Sequence, residues 1–302
     1  MFRENCYLVY LTYKDSSKIK IIIKPLISNI LLLLIDLFFI NIIGDFTLQF
    51  DDKIGSIQQI LTATNVGVLR RQEILKELNL KKGQTIIDIG CGGGHLVKEI
   101  SMSIGPSGRV IGVDPSKFQI ETAKERCKNL SNVQFLCNNA NDINVDQNSF
   151  DAVTFTQTLE YINDVDEALF VAKKLQKSKS IFVNVSTLWD FFGFHGPEKE
   201  LNNMMHEIYQ SQKHPMLPVQ LNGKLEKQGY TNIKTREIPF FITNKDENSF
   251  PKFHEILMVN AAIKKGVSRD LTQKWQDQLF EAEKKGEFAF TVISVLTSAF
   301  SK

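Results

Sequence analysis

Residues 85–94, TIIDIGCGGG, decide the fold of this 302-residue chain. The first five residues are mostly β-branched and apolar, which predicts a short buried strand. Gly90, Gly92 and Gly94 alternate in the turn that follows, and such glycines let a ligand lie against bare backbone. A helical pattern over residues 95–103 comes next, so its free N–H groups would face the ligand. The stretch therefore predicts a strand, a tight turn and a helix that together form a binding site.

Strand and helix patterns alternate along the chain on both sides of this unit. We predict helices at residues 66–80, 95–103, 116–129 and 164–177, and strands at residues 85–89, 109–113, 133–137, 150–156 and 180–185. Ser116 stands where it can cap the helix that it begins. Continuous apolar strands with helices between them are typical of a parallel sheet covered on both faces. This half of the chain is therefore predicted to be an α/β domain.

The pattern changes after residue 186. An aromatic cluster at residues 189–194 precedes predicted helices at 198–212 and 219–228 and a strand at 231–241. Two further helices, at residues 249–265 and 269–285, separate that strand from a last β-rich stretch at 288–300. We interpret these two helices as an insertion, residues 245–286, and as a candidate lid.

Two kinds of ligand use a glycine turn of this sort, a dinucleotide and S-adenosylmethionine. The dinucleotide pattern GxGxxG needs a glycine at position 95 or 97, where this chain has His95 and Val97. Asp114 follows Gly94 by twenty positions, at the end of the next strand, where an acid grips ribose hydroxyls. Asp88 stands just before the glycines, where a carboxylate would repel a pyrophosphate but suits the cationic end of a sulfonium ligand. The residues thus favour S-adenosylmethionine, with a nicotinamide-dependent oxidoreductase as the alternative.

Two further motifs accompany the glycine turn in order, RVIGVDP at residues 109–115 and FDAVTFTQTLEY at residues 150–161. Together the three stretches resemble class I S-adenosylmethionine-dependent methyltransferases, of the methyltransferase type 11 group found in ubiquinone and menaquinone biosynthesis. The resemblance covers residues 83–186 well and extends more loosely to residue 300. It implies a Rossmann-like, doubly wound α/β fold with a seven-stranded, mostly parallel sheet, an antiparallel C-terminal strand and a helical insertion before that strand.

The resemblance also implies site roles, with the cofactor-binding half at residues 66–186 and the acceptor half at residues 187–302. The residues expected at the cofactor are Asp88, Gly90, Cys91, Gly92, Gly94, Asp114, Pro115, Asn139, Ala140, Gln157 and Thr158. Asp88 and the glycine turn would hold the methionine part, and Asp114 the ribose hydroxyls. Asn139 replaces the usual acid at the adenine, although an amide oxygen still accepts the adenine amino hydrogen.

The expected reaction is methyl transfer to a small-molecule acceptor on an oxygen, nitrogen or carbon atom that the sequence does not identify. Such an acceptor can need a base, and the candidates are His195, Glu160, Tyr161 and His206, of which we favour His195 and Glu160. The aromatic residues at 189–194 are candidates for an apolar acceptor pocket, which fits a quinone-like or lipid-like acceptor. A methyltransferase fold that only binds a ligand, without catalysis, is the remaining alternative.

The composition argues against several other classes. The formal net charge is only +2 and no run of Lys and Arg stands out, which argues against a nucleic-acid substrate. The cysteines form no CxxC pair, so neither a disulfide scaffold nor a structural zinc site is expected. We predict no metal site in this protein.

The N-terminal residues 1–50 differ from the rest, which we assign to the methyltransferase-like domain at 51–302. Residues 26–43 are almost wholly apolar and have the length of a short membrane-spanning helix, but Asp36 near the middle makes insertion marginal. Three interpretations stay open: a membrane anchor, a helix packed on the domain, and a leader that is absent from the working protein. We expect a cytoplasmic protein that is anchored to a membrane if this segment inserts.

Overall fold

The computed structural model describes residues 7–12, 20–25, 52–210, 212–246 and 249–302. Strands β1 (Tyr7–Thr12) and β2 (Lys20–Pro25) form an antiparallel pair within a first unit, Met1–Phe46. The apolar segment at residues 26–43 lies outside the described residues. Among the residues that are described, none of the helices combines the length and the apolar character that crossing a bilayer requires.

The second unit, Thr47–Lys302, contains the α/β domain. Its helices are α1 (Asp52–Ala63), α2 (Asn65–Leu78), α3 (His95–Ile104), α4 (Lys117–Arg126), α5 (Val165–Leu175), α6 (Lys199–Tyr209), α7 (Leu217–Lys227), α8 (Phe250–Lys264) and α9 (Arg269–Lys285). Its strands are β3 (Thr85–Ile89), β4 (Arg109–Val113), β5 (Val133–Leu136), β6 (Phe150–Thr156), β7 (Gln176–Thr187), β8 (Gly193–His195), β9 (Thr231–Ile242) and β10 (Ala289–Phe300). Short 3-10 turns follow β6 and β7, at Leu159–Tyr161 and Trp189–Phe191.

The strands form one sheet in the order β5-β4-β3-β6-β7-β10-β9, and the five strands β3 to β7 run parallel. Strand β10 is antiparallel to both β7 and β9, and the short β8 pairs with its first residues. The resemblance therefore predicted the seven main strands and the reversed last strand correctly. The pattern of the residues did not predict β8, which has only three residues.

Apolar clusters cover both faces of the sheet, as the continuous apolar strands predict. Leu169 of α5 and Leu221 of α7 pack on one face with Phe155 and Phe182. On the other face, α2 and α3 pack with Ile86 and Val110 of the strands. A third cluster joins β8 and β10 to the insertion helices α8 and α9, around Trp275 and Phe290.

The helix ends follow local sequence signals. Ser116 caps α4 by accepting a hydrogen bond from the Gln119 backbone N–H, as predicted. Asp164, Ser249 and Ser268 cap α5, α8 and α9 in the same manner. Helix α1 was not among the predicted elements, although its apolar residues Ile54, Ile57 and Leu61 stand at helical spacing. This helix proves to form part of the site.

Candidate functional site

A cavity of about 700 Å³ opens at the carboxyl ends of β3, β4, β6 and β7. In α/β sheets ligands bind at this edge, because the loops that leave the parallel strands meet there. One part of the cavity, which we call the loop end, is formed by Asp88, the glycine turn and Asp114. The other part, which we call the aromatic end, is formed by Trp189, Phe192, Phe250 and His254.

The glycine turn between β3 and α3 presents its backbone to the cavity. Gly90 has φ +77°, and a Cβ atom there would collide with the side chain of Thr158. The Gly90 and Cys91 N–H groups donate to the Val113 carbonyl at 2.7 and 2.9 Å, which ties the turn to the end of β4. Any side chain at position 90 is therefore excluded for two reasons: the positive φ angle of Gly90 and the close approach of the Thr158 side chain.

Asp88 and Asp114 give the loop end its charge. The sheet register pairs Asp88 with Thr154 of β6, and the Thr154 hydroxyl donates to Asp88 Oδ1 at 2.7 Å. Burial raises the pKa of Asp88 to about 7, and the nearby Asp114 adds to the rise. Asp114 accepts the Gly92 N–H at 3.0 Å and the Ser116 N–H at 2.9 Å, and burial raises its pKa as well. Two partly desolvated carboxyl groups on one wall favour a ligand with a positive charge.

The loop after β6 closes the cavity between its two ends. Gln157 has φ +51°, donates its backbone N–H to the Val185 carbonyl at 2.7 Å, and accepts the Thr187 hydroxyl at 2.7 Å. The Thr158 hydroxyl donates to the Thr156 carbonyl at 2.9 Å. These hydrogen bonds fix the loop on the ends of β6 and β7, next to the glycine turn.

The structure brings almost all of the expected cofactor residues together. Those that line the cavity are Asp88, Gly90, Cys91, Gly92, Asp114, Pro115, Asn139, Ala140, Gln157 and Thr158. Gly94 was also expected at the cofactor, but it is not among the residues that line the cavity. Instead it caps α3 with φ +76°, and its Cβ position faces Ala123 of α4. Gly94 is therefore a glycine that lets two helices approach, rather than one that contacts a ligand.

The two favoured bases, His195 and Glu160, do not line the cavity. His195 lies on β8, where its Nε2 is 2.8 Å from the Thr291 hydroxyl. Glu160 is completely buried, and its Oε1 accepts the Thr187 N–H at 3.2 Å. Its carbonyl accepts the Lys213 N–H at 3.1 Å. Neither residue is thus placed at the cavity: Glu160 anchors the loops around it, and His195 contacts Thr291 across the pairing of β8 with β10.

Three glutamines that no sequence pattern had pointed to, Gln58, Gln59 and Gln119, also line the cavity. Gln59 of α1 donates to Gln119 Oε1 at 2.6 Å, and Gln119 donates to Gln58 Oε1 at 2.7 Å. Helix α1 thereby lies against α4 beside the glycine turn. No spacing rule links these residues, since Gln59 and Gln119 are 60 positions apart.

The aromatic end is built from the loop after β7 and the first turns of α8. The rings of Trp189 and Phe192 have centroids 4.8 Å apart, and His254 lies 4.3 Å from Phe250 and 4.7 Å from Phe192. Burial lowers the pKa of His254 to about 3, so its ring is neutral, and its Nδ1 is 2.8 Å from the Tyr209 hydroxyl. The expected aromatic lining is thus confirmed for Trp189 and Phe192. The other two predicted rings differ, since Phe191 is exposed and Phe194 is part of the core.

Comparison with known proteins agrees with this arrangement. Residues 80–246, more than half of the chain, match the family model described as a methyltransferase domain. The chain is 34% identical over 117 residues to the demethylmenaquinone methyltransferase of Staphylococcus carnosus (strain TM300), a match that covers 39% of this chain and 48% of that protein. It is 26% identical over 151 residues to an uncharacterised 37.1 kDa protein in transposon Tn4556 of Streptomyces fradiae, covering 50% of this chain and 44% of that protein. The chain thus spans about half the length of the curated relatives that it matches.

Solved structures share the fold at low sequence identity. The YcgJ protein of Bacillus subtilis has a TM-score of 0.54 at 17% identity, covering 77% of this chain and 97% of that one. Phosphoethanolamine N-methyltransferase 2 of Haemonchus contortus was solved with phosphomonomethylethanolamine and S-adenosylhomocysteine. It has a TM-score of 0.54 at 17% identity, and the match covers 86% of this chain and 60% of that one. The [4+2]-cyclase SpnF has a TM-score of 0.53 at 16% identity, and the match covers 86% of this chain and 98% of that one. Because a cyclase shares the architecture, the site must decide the reaction.

Proposed function

Because this chain belongs to the methyltransferase domain family, we propose that it transfers the methyl group of S-adenosylmethionine to a small-molecule acceptor. One observation carries the proposal: a bare glycine turn, flanked by two buried carboxyl groups, opens into a cavity that continues to a second, aromatic end. The loop end suits a cationic nucleoside ligand, and the aromatic end leaves room for a second reactant.

The residues of the loop end fit this cofactor. Asp88 would hold the cationic amino acid part, and the space kept free at Gly90 lets a ligand approach the backbone. Asp114 would accept the ribose hydroxyls, and Asn139 would border the adenine. Gln157, between the two ends, would border the reactive centre.

The bound cofactor supplies a methyl group that its sulfonium already activates, so the protein's task is alignment in a site that excludes water. During transfer the methyl–sulfur bond breaks as the bond from methyl to acceptor forms, and the sulfur keeps the electron pair. A proton carried by the acceptor atom passes to a group of the acceptor itself, or to solvent when the product leaves; His195 and Glu160 do not line the cavity and are not given this role.

The acceptor is proposed to have an apolar or aromatic body, of the quinone or lipid kind. Trp189 and Phe192 support this proposal, because their rings line the aromatic end. The demethylmenaquinone methyltransferase similar to this chain supports it independently. The apolar residues 26–43 further support a cytoplasmic protein held at a membrane, where such acceptors dissolve. Flotation of the full chain with phospholipid vesicles, compared with a chain that begins at residue 51, tests this last point.

Calorimetry and isotope transfer test the main proposal. We expect S-adenosylhomocysteine to bind, NADH not to bind, and Asp88→Asn and Asp114→Asn each to weaken the first interaction at pH 8. Protein incubated with methyl-labelled S-adenosylmethionine and a metabolite extract should yield a labelled small molecule. Binding of NADH in preference, or normal S-adenosylhomocysteine binding by both variants, would contradict the assignment. Tight cofactor binding without any transfer would instead indicate a binding protein.

A further inference from the structure

The buried guanidinium of Arg70, on α2, has N–H donors that the proposed cofactor site does not account for. Its side chain lines the aromatic end of the cavity, yet the residue is only 7% exposed. Its Nε donates to the Ser294 hydroxyl at 2.7 Å and its Nη2 to the Thr187 hydroxyl at 3.1 Å. These two hydroxyls are register partners across β10 and β7, so the strand pairing fixes the guanidinium. A guanidinium has five N–H donors, and the others find no acceptor among the described residues.

The positive charge of Arg70 also lacks a direct partner. In the described part of the chain, the arginines that form ion pairs are Arg71, with Glu99, and Arg236, with Glu73. Glu160 acts on Arg70 only at longer range, and one of its oxygens is occupied by a backbone N–H. Burial lowers the pKa of Arg70 to about 10, so the group stays charged at neutral pH. Burying a cation against neutral hydroxyl groups lowers the stability of the free protein. Buried charges of this kind cluster at sites where a ligand supplies the opposite charge.

We propose that Arg70 binds an anionic group, a carboxylate or phosphate, of the methyl acceptor. The guanidinium fork matches such oxyanions, and the Arg70 guanidinium lies 5.3 Å from the centre of the Phe250 ring, which helps to orient it. The apolar body of the acceptor would then lie against Trp189 and Phe192. The inference rests on the proposed function and names the class of its acceptor: an apolar or aromatic molecule that carries an oxyanion.

The position of Arg70 favours the acceptor over the cofactor as the source of the anion. Its contacts are with β7, β10 and α8, the elements of the aromatic end. The glycine turn is held by different groups, since the Gly93 carbonyl accepts from Arg126 at 2.6 Å. The neighbouring Arg71 is already satisfied by Glu99 and by the Thr62 carbonyl, so it offers no equivalent donor.

The test uses two ring compounds as probes on the full chain saturated with S-adenosylhomocysteine. 4-Hydroxybenzoate carries the anion, and 4-methylphenol is its uncharged counterpart. We expect 4-hydroxybenzoate to bind more tightly by about ten- to a hundredfold, the range for a hydrogen-bonded charge in a buried site. Arg70→Met should abolish the preference, and Arg70→Lys should keep part of it. Arg109→Met, which removes an exposed charge at the start of β4, is the matched control and should retain the preference.

Two further measurements on each variant distinguish the possible explanations of a lost preference. The melting temperature shows whether the variant is folded, and the affinity for S-adenosylhomocysteine shows whether the proposed cofactor site is intact. If Arg70→Met is folded but loses S-adenosylhomocysteine affinity, Arg70 binds the cofactor carboxylate and the inference is wrong. It is equally wrong if wild-type protein binds both probes alike, or if 4-hydroxybenzoate does not bind at millimolar concentration. If the wild-type protein does not bind S-adenosylhomocysteine at all, the proposed function itself is wrong.

Discussion

Cofactor binding should strengthen as the pH rises through 7, and Asp88→Asn should remove most of that change. A cationic ligand group binds the ionised form of Asp88, whereas burial favours the protonated form in the free protein. Binding must therefore release a proton whenever the pH lies below the pKa of about 7. The asparagine keeps the size of the side chain and an acceptor oxygen for Thr154, but it has no charge to titrate.

The size of the effect follows from the pKa. With a pKa of about 7, roughly half of the Asp88 carboxyl groups are ionised at pH 7 and roughly one in eleven at pH 6. The affinity for S-adenosylhomocysteine should thus fall about twofold at pH 7 and about tenfold at pH 6, relative to a plateau above pH 8.

Stability of the free protein should show the opposite dependence. The folded state raises the pKa of Asp88 from its ordinary value of 3.8 to about 7, because burial favours the protonated carboxyl group. The stability that this protonated group contributes is therefore fully present below pH 3.8 and is lost as the pH rises through about 7. The rise corresponds to about 4 kcal/mol at most. Asp88→Asn should therefore unfold at a higher temperature than the wild type at pH 8, and at a similar temperature at pH 4. This variant would gain stability while losing cofactor affinity.

Titration calorimetry from pH 5.5 to 8.5, in two buffers that differ in ionisation enthalpy, measures both affinity and proton release. Asp114→Asn serves as the control, because the pKa of Asp114 is also raised and accounts for any dependence that remains in Asp88→Asn. A wild-type affinity that does not change between pH 6 and 8 would refute the reasoning. So would an Asp88→Asn protein that keeps the full wild-type pH dependence.

Three further changes have defined outcomes. Thr154→Val removes the hydroxyl that donates to Asp88, so the pH midpoint of S-adenosylhomocysteine binding should rise, and calorimetry showing a lower midpoint would contradict this. Gly90→Ala forces a side chain into a left-handed turn against a neighbour, and should cost about 1–3 kcal/mol in urea unfolding as well as cofactor affinity; unchanged values would be evidence against the close packing. Lys245→Met removes the amine 3.0 Å from the buried Glu255 carboxylate, which keeps only the more distant Lys252 amine at 3.7 Å and a hydrogen bond from Gln276, and should cost about 1–3 kcal/mol in urea unfolding. Adding Glu255→Met should recover much of that loss, and a double variant less stable than Lys245→Met would contradict this reasoning.

The sequence alone predicted the framework of the domain well, because its signals are local. The boundaries of β3, β4, β6 and α9 agree with the structure to the residue, and each is set by apolar spacing or by an adjacent glycine or capping residue. The glycine turn and Asp88 were assigned for a similar reason, since the turn geometry and the acid adjoin each other in the chain. The number of strands and the reversed direction of the last one, by contrast, came from the resemblance to a known family, and the order of the strands in the sheet came only from the structure.

What only the tertiary structure decided is which distant side chains share the cavity. His195 follows an aromatic cluster and attracted a catalytic assignment, yet β8 holds it outside the cavity lining. Arg70 reads as an ordinary helix residue, but it meets Ser294, 224 positions away, at the aromatic end. Strand, turn and cap arise from contacts between near neighbours in the chain, so sequence determines them. The charge and shape of the aromatic end arise from the pairing of β7 with β10 and the packing of α2 and α8, which no local pattern contains.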